Sequence, residues 1–454
     1  MNNEREGRGG DTEGPPFLNA DCLALIFQYL GVEDLLVISR TCQLWRGVAM
    51  FVFKTLNRLD LRKISYDGYR PNFRALNKMM KQMNLKSLDC SGVGLDSVID
   101  LTESDMATME AIPKYCPNLT KFIAKSISMV RRGSWEPFHE NHPSQRDIAI
   151  SFYQQMPGLI YLDLQNTNIA DEVVETILIH CTNLQHLNIS HNIRVKGKSF
   201  TQHLPSSLTS LNLENTSCEV NTVLEAGILR CPNLEILNVS MVSTASAAGW
   251  TDDKMISLKE LHMTHTFRIY NDDIPEILAR VPSLETLNMS SSTVKIGLHG
   301  LARDCPGLKS LDISRCDLVE GIVDFLSRLK GLNLTRLNCG KLRFRPQRYL
   351  MPRRLALESI INFRQLEVLD LSEWKLLTCD DVALLIIQLP TLRHLYLYNC
   401  PKVIELDFHD LDDLLSKSGP ELKERAHTLK IYCNLENLEE HTSSHTQIYR
   451  LCYS

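Results

Sequence analysis

A chain of 454 residues with 44% hydrophobic and 23% charged residues has the composition of an ordinary folded protein and enough apolar material for a large core. Its formal net charge of −5 excludes a general attraction to nucleic acid or anionic membrane, and neither is expected as a partner. No apolar run approaches the ~18 residues of a membrane span, and the opening MNNEREGRGGDTEGPP is polar where a secretory signal would be apolar. A cytoplasmic or nuclear protein is expected. The 14 cysteines are scattered through the chain with no Cys-x-x-Cys pair, so most are expected to be free and buried, not bound to zinc.

After a polar tail over 1–15, residues 16–55 form the first structured segment. Within it, 18–45 read LNADCLALIFQYLGVEDLLVISRTCQLW. Leu23, Ile26, Phe27 and Leu30 fall at i, i+3, i+4 and i+7, which predicts one face of a helix. Asn19 is placed to cap that helix, Asp21 favours its positive end, and Gly31 suits a left-handed stop. A second helix is expected from Glu33 or Asp34.

The segment resembles the F-box, whose general form is Leu-Pro-x-Glu, an Ile-Phe-x-Tyr-Leu run, an Asp-Leu pair and a Cys-x-x-Trp ending. Those places hold Leu18, Asp21, the run Ile26 to Leu30, Asp34-Leu35, and Cys42 with Trp45. Asn19 departs from the usual proline and Asp21 from glutamate. The resemblance implies that Leu18, Leu23, Ile26, Phe27, Leu30, Leu35 and Trp45 form either the contact with a Skp-type adaptor or the small core behind it. Through that adaptor the family reaches a cullin and a RING subunit. An apolar face here could instead cap the first unit of a repeat domain.

From residue 56 a different pattern takes over, Leu-x-x-Leu-x-apolar, as in LIYLDL from Leu159, LQHLNI from Leu184 and LETLNM from Leu284. Between Leu159 and Leu334 the opening leucines are 25, 24, 26, 24, 26, 24 and 26 residues apart, within the range of leucine-rich repeats. Counting weaker copies at Leu56, Leu85, Leu119 and Leu334, there are 13 full copies and a fragment through Leu429 and Ile431. Each short run suits a strand with inward leucines, and intervening stretches such as EVVETILIHC suit amphipathic helices. Cysteine before the repeat, as in CPNL at 116–119 and 231–234, resembles the cysteine-containing repeats of F-box proteins over about 56–433. The expected fold is α/β: a leucine-rich-repeat solenoid over 56–435, a horseshoe with a parallel inner sheet and outer helices, preceded by a small all-α F-box cluster and succeeded by a tail over 436–454.

Function must come from the faces the repeats leave to solvent. The residue between the second and third apolar positions is Asp or Asn in most copies, from Asp163 and Asn188 to Asp370, and so regular a ladder reads as part of the repeat. Tyr396 breaks it, and with His394 and Tyr398 makes an aromatic patch that could anchor a protein target or close the end of the core. Between Arg336 and Arg354 stand seven cations and no acid, and Arg343, Arg345 and Arg348 are candidates for reading an acidic or phosphorylated motif. An insertion at about 126–150 offers Trp135 and Phe138 as anchors. There His139, Glu140 and His142 lack further partners for a metal site.

No phosphate loop, nucleophile elbow or zinc helix is present in the sequence, so neither catalytic residues nor a metal or other cofactor are expected. Sequons such as Asn188-Ile-Ser arise from the repeat's own wording. The reading is a non-catalytic recognition subunit of an SCF-type (Skp–cullin–F-box) ubiquitin ligase that presents an unknown protein to be marked for proteasomal degradation. The rivals are a scaffold or inhibitor that recruits no ligase, and an adaptor of an elongin-type cullin ligase.

Overall fold

A computed structural model describes residues 18–60, 84–91, 112–126, 145–219, 222–223, 225–226, 230–242, 254–265, 273–292, 300–316, 322–342, 353–404, 429–433 and 447–449. The chain divides into two compact units, Met1–Ile127 and Ser128–Ser454.

The first unit opens with α1 (Ala20–Phe27), α2 (Val32–Ile38) and α3 (Gln43–Thr55). The Asn19 side chain accepts the Cys22 N–H at 2.8 Å, so the missing proline leaves the helix start intact. Gly31 departs from expectation. At φ −67° and ψ 161° it is extended, not left-handed, and it is the N-cap of α2, which starts one residue earlier than the charge pattern suggested. Leu23, Phe27, Leu35, Val48, Ala49, Val52 and Phe53 are buried between the helices, and the Phe27 ring meets Trp45 edge-on at 5.7 Å. Three parallel strands follow in this unit: β1 (Arg58–Asp60), β2 (Ser87–Asp89) and β3 (Lys121–Ile123), with Leu59, Leu88 and Phe122 in register.

The second unit carries β4 (Tyr161–Asp163), β5 (His186–Asn188), β6 (Ser210–Asn212), β7 (Ile236–Asn238), β8 (Glu260–His262) and β9 (Thr286–Asn288). It continues through β10 (Ser310–Asp312), β11 (Arg336–Asn338), β12 (Val368–Asp370), β13 (His394–Tyr396), β14 (Lys430–Tyr432) and β15 (Gln447–Tyr449). All are parallel and paired in sequence order, with one leucine or isoleucine column from Leu162 to Ile448. The leucine-rich-repeat architecture is therefore present. Its sheet gains a strand, β15, beyond the last fragment of the leucine ruler.

Three residues make a short strand, and the turn after it explains why the pattern can repeat so often. The Asp or Asn closing a strand accepts the backbone N–H two residues on, from Asp163 to Gln165 at 3.2 Å, through Asn238 to Ser240 at 3.0 Å, to Asp370 to Ser372 at 2.8 Å. Three residues after each ladder position the backbone is left-handed, at Asn166, His191, Met241, Arg315, Lys341 and Glu373 among others. Non-glycine residues there are strained by ~1–2 kcal/mol. The next repeat offsets this, because those N–H groups donate across, as Met241 does to Thr264 O at 2.8 Å and Lys341 to Ser372 O at 2.7 Å. The acid and amide ladder is thus a backbone device.

Between the strands, Asp171–His180 and Cys379–Gln388 are helices of 10 residues that bury Val173, Ile177, Val382 and Leu385. Buried polar side chains tie repeats together. Asn192 accepts from Thr167 N at 3.1 Å and Ile169 N at 3.2 Å, and donates to Leu164 O at 2.8 Å and Ile189 O at 2.9 Å.

Candidate protein-binding surfaces

The helices of the first unit present two apolar faces, not one. Leu23 and Phe27 of α1 point into the core at 3% and 2% exposure, together with Leu35 of α2, while Leu30 and Trp45 are half-buried. Leu18 and Ile26 stand in solvent at 53% and 46%. With them are Leu25, Tyr29, Val37, Leu44 and Phe51, which the F-box pattern alone does not single out as contacts. A second helical stripe was nevertheless legible: Cys22, Leu25, Ile26 and Tyr29 fall at i, i+3, i+4 and i+7, a spacing that keeps them on one side of the helix, with Leu18 just ahead of the Asn19 cap. Seven large apolar groups on about forty residues are left outside a core that is already filled, an exposed surface of the kind another protein can cover.

On the second unit the sheet offers three columns of outward residues, and they change character along its length. From β7 to β10 the residues just before the strands alternate in sign. Lys259 Nζ lies 2.9 Å from Glu235, and Lys309 Nζ lies 2.7 Å from Glu285. The Glu235 hydrogen bond raises the Lys259 pKa, and that from Lys309 lowers Glu285. This stretch satisfies its own charges.

At β13 and β14 the ladder of acids and amides gives way to rings. Tyr396 stacks on Tyr432 with centroids 4.4 Å apart and planes 9° from parallel. His394 Nδ1 lies 3.2 Å from the Tyr432 hydroxyl, and Tyr398 flanks Tyr396 at 6.2 Å. These rings are half-exposed on the sheet and leave the leucine column to bury itself. The structure therefore brings His394, Tyr396 and Tyr398 together and adds Tyr432, whose place was hidden because the fragment around Ile431 gives a weak ruler signal. Burial, then Tyr432 and Asp370, raises the Tyr396 pKa.

Asp370 precedes Tyr396 in the same column. Its pKa is raised, mainly by burial, and Gly340 fits beside it because a Cβ there would stand 2.9 Å from Asp370 Oδ1. Arg343, Arg345 and Arg348, with Trp135, Phe138, His139, Glu140 and His142, lie outside the described residues. Within them, the cysteines before the repeats are buried, and Cys181 and Cys231 point their thiols at the carbonyls of Met156 and Pro205 at 3.4 and 3.3 Å. Burial pushes the Cys181, Cys231 and Cys305 thiols up to about 12, which removes thiolate chemistry at neutral pH. Among the described residues no three His, Cys, Asp or Glu side chains are grouped to hold a metal ion, and no helix is long and apolar enough to cross a membrane.

Comparison with known proteins bears on both surfaces. The solved structures similar to this chain include the TLR13–ssRNA13 complex, at 19% identity over 70% of this chain and 44% of that one with a TM-score of 0.46. The mouse RP105/MD-1 complex matches at 17% identity, covering 71% and 47%, with a TM-score of 0.44. The yeast Rad7–Elc1 complex matches at 16%, covering 85% and 90%, again at 0.44. The chain spans less than half the length of the first two. No curated protein matches it. Two family models do: the F-box domain over residues 17–56, and the leucine-rich repeats of an FBD-associated F-box protein over 199–347. The exposed helical stripe lies inside the first match and the charge-paired strands inside the second, and the chain carries an F-box domain and leucine-rich repeats that match those of F-box proteins.

Proposed function

We propose that this chain is the target-recognition subunit of an SCF-type ubiquitin ligase, with the F-box helices held by a Skp-type adaptor and the repeat sheet holding the protein to be modified. F-box and repeats together support a substrate-recognition role in general. What carries the finer reading is the apolar stripe of Leu18, Leu25, Ile26 and Tyr29, with Val37, Leu44 and Phe51, exposed on helices whose core is complete without it. Each such side chain, once buried by a partner, contributes ~1.5–3 kcal/mol, and a micromolar complex needs ~8 kcal/mol. About three to six of the seven supply that total.

On this reading the chain performs no chemistry. It holds a target so that a lysine on it meets a thioester carried by another subunit, and the gain is effective concentration. The target is held at the C-terminal end of the sheet, where His394, Tyr396 and Tyr398 gather with Tyr432, with Arg343, Arg345 and Arg348 as further candidates in the segment after β11. The work is done in the cytoplasm or nucleus, where adaptor and cullin reside.

Co-purification tests the adaptor half. Ile26→Asp combined with Tyr29→Asp leaves the core untouched, so the chain stays folded and loses a Skp-type adaptor that the unaltered chain retains. If the adaptor stays bound to this folded double variant, or never accompanies the unaltered chain, the ligase role is wrong and a scaffold remains.

A further inference from the structure

The outward columns of β11 to β14 differ in charge as well as in shape from those before them. Arg336 and Arg393 are exposed, and neither forms an ion pair among the described residues, whereas Glu235, Lys259, Glu285 and Lys309 are paired with neighbours. Arg336, Val368, His394 and Lys430 share one register row, and Arg393 precedes His394. Among the described residues Glu367 is the one acid at this level of β11 to β14. This level therefore presents Arg336 and Arg393 against a single carboxylate among the described residues, beside the stacked Tyr396 and Tyr432 rings.

Spacing narrows what such a face can hold. Arg336 on β11 and Arg393, the residue just before β13, are two strands apart, ~10 Å at the usual separation of paired strands, and an extended peptide advances ~3.3 Å per residue. Anionic groups about three residues apart on an extended segment reach both guanidinium sites, while one compact anion does not. At the other end of β12 Asp370 supplies the opposite sign, while Glu373 is paired with Lys341 at 3.4 Å, so an acidic segment lies towards the Arg336 and Arg393 end of the strands.

We propose that β11 to β14 receive an extended acidic segment of the target protein, its carboxylates on Arg336 and Arg393 and an apolar side chain against the Tyr396–Tyr432 stack. This rests on the recognition role proposed above and supplies the chemistry of the partner. Guanidinium groups pair carboxylates through two parallel hydrogen bonds, and stacked rings offer a rigid apolar wall.

The test uses the full chain and a fluorescein-labelled nonapeptide with glutamate at every third position and one leucine, compared by anisotropy with its glutamine counterpart. The glutamate peptide binds about tenfold tighter, as one to two charge-assisted contacts imply. Arg336→Ala with Arg393→Ala abolishes that preference, and Lys259→Ala, in the self-paired stretch, leaves it unchanged. The proposal is overturned by no binding of the glutamate peptide at millimolar concentration, by a preference that survives the double variant, or by binding that requires phosphoserine in place of glutamate. Adaptor co-purification of the same proteins separates the two readings. Peptide binding without any adaptor sinks the ligase role alone, and adaptor binding without peptide preference sinks this inference alone.

Discussion

The F-box helices and the repeat unit bury their apolar residues by opposite rules. In the helices large apolar side chains exceed what the core can take, so Ile26 and Tyr29 remain in water at 46% and 92% exposure. In the repeats nearly every strand leucine is hidden, Leu162, Leu261 and Leu395 at 0%, and the solvent side is left to polar and charged columns. A small cluster with surplus apolar surface is built to be completed by a partner. A solenoid that completes itself repeat by repeat is free to specialise one end.

If this contrast is real, the two faces of α1 must differ sharply in what they contribute to folding. Phe27→Ala, in the core against Trp45, should cost ~3–5 kcal/mol, while Ile26→Ala, one residue away, should change stability by less than ~0.5 kcal/mol. Chemical denaturation followed by far-ultraviolet circular dichroism distinguishes them, and equal losses would erase the division into two faces. In the repeats the sensitive residue is polar. Asn192→Ala leaves the Thr167 and Ile169 N–H groups and the Leu164 carbonyl without their partner and should cost ~2–4 kcal/mol by urea unfolding.

How much of this could be read beforehand depends on what kind of force sets each feature. The strand leucines were legible because each repeat imposes the same burial, so spacing alone marks Leu187 and Leu311. The regular Asp and Asn ladder was legible as structure for the same reason. Sorting Leu23 from Ile26 was not, because both suit a helix face and only packing against α3 decides which is covered. Gly31 misled because glycine serves equally as a left-handed stop and an extended N-cap, and the choice lies in the length of the link to α2. Tyr432 and β15 escaped because the apolar column there holds isoleucine at irregular intervals, while the lack of an ion pair at Arg393 among the described residues depends on which side chains its neighbouring repeats offer.

Alkaline pH probes the repeat side of the comparison through its thiols. Buried Cys181, Cys218, Cys231 and Cys305 are raised from 9.0 to about 12, so the folded state binds protons there that the unfolded state releases. Their contribution is fully present below pH 9 and falls as pH rises from 9 towards 12. Urea midpoints of the reduced protein should hold steady between pH 7 and 8.5 and drop by pH 10. The exposed Cys22 and Cys42 of the F-box should meanwhile react with a thiol reagent in the folded protein while these four stay protected.

The smallest expected effect is the most pointed test of how the sheet is specialised. Lys259 sits between Glu235 and Glu285 in a column where every charge has a neighbour of opposite sign, yet its side chain is about half exposed. Water competes for such a pair, and ordering two long side chains offsets most of the attraction. Lys259→Ala should therefore leave the melting temperature unchanged within calorimetric error at physiological salt, and target binding unchanged as well. A clear loss of binding would move the recognition face back to β7–β10 and make the pairing there a resting state that a partner breaks. An unchanged protein leaves that stretch as a neutral spacer, which places the burden of recognition on the end of the sheet where Arg393 forms no ion pair among the described residues and the tyrosines stack.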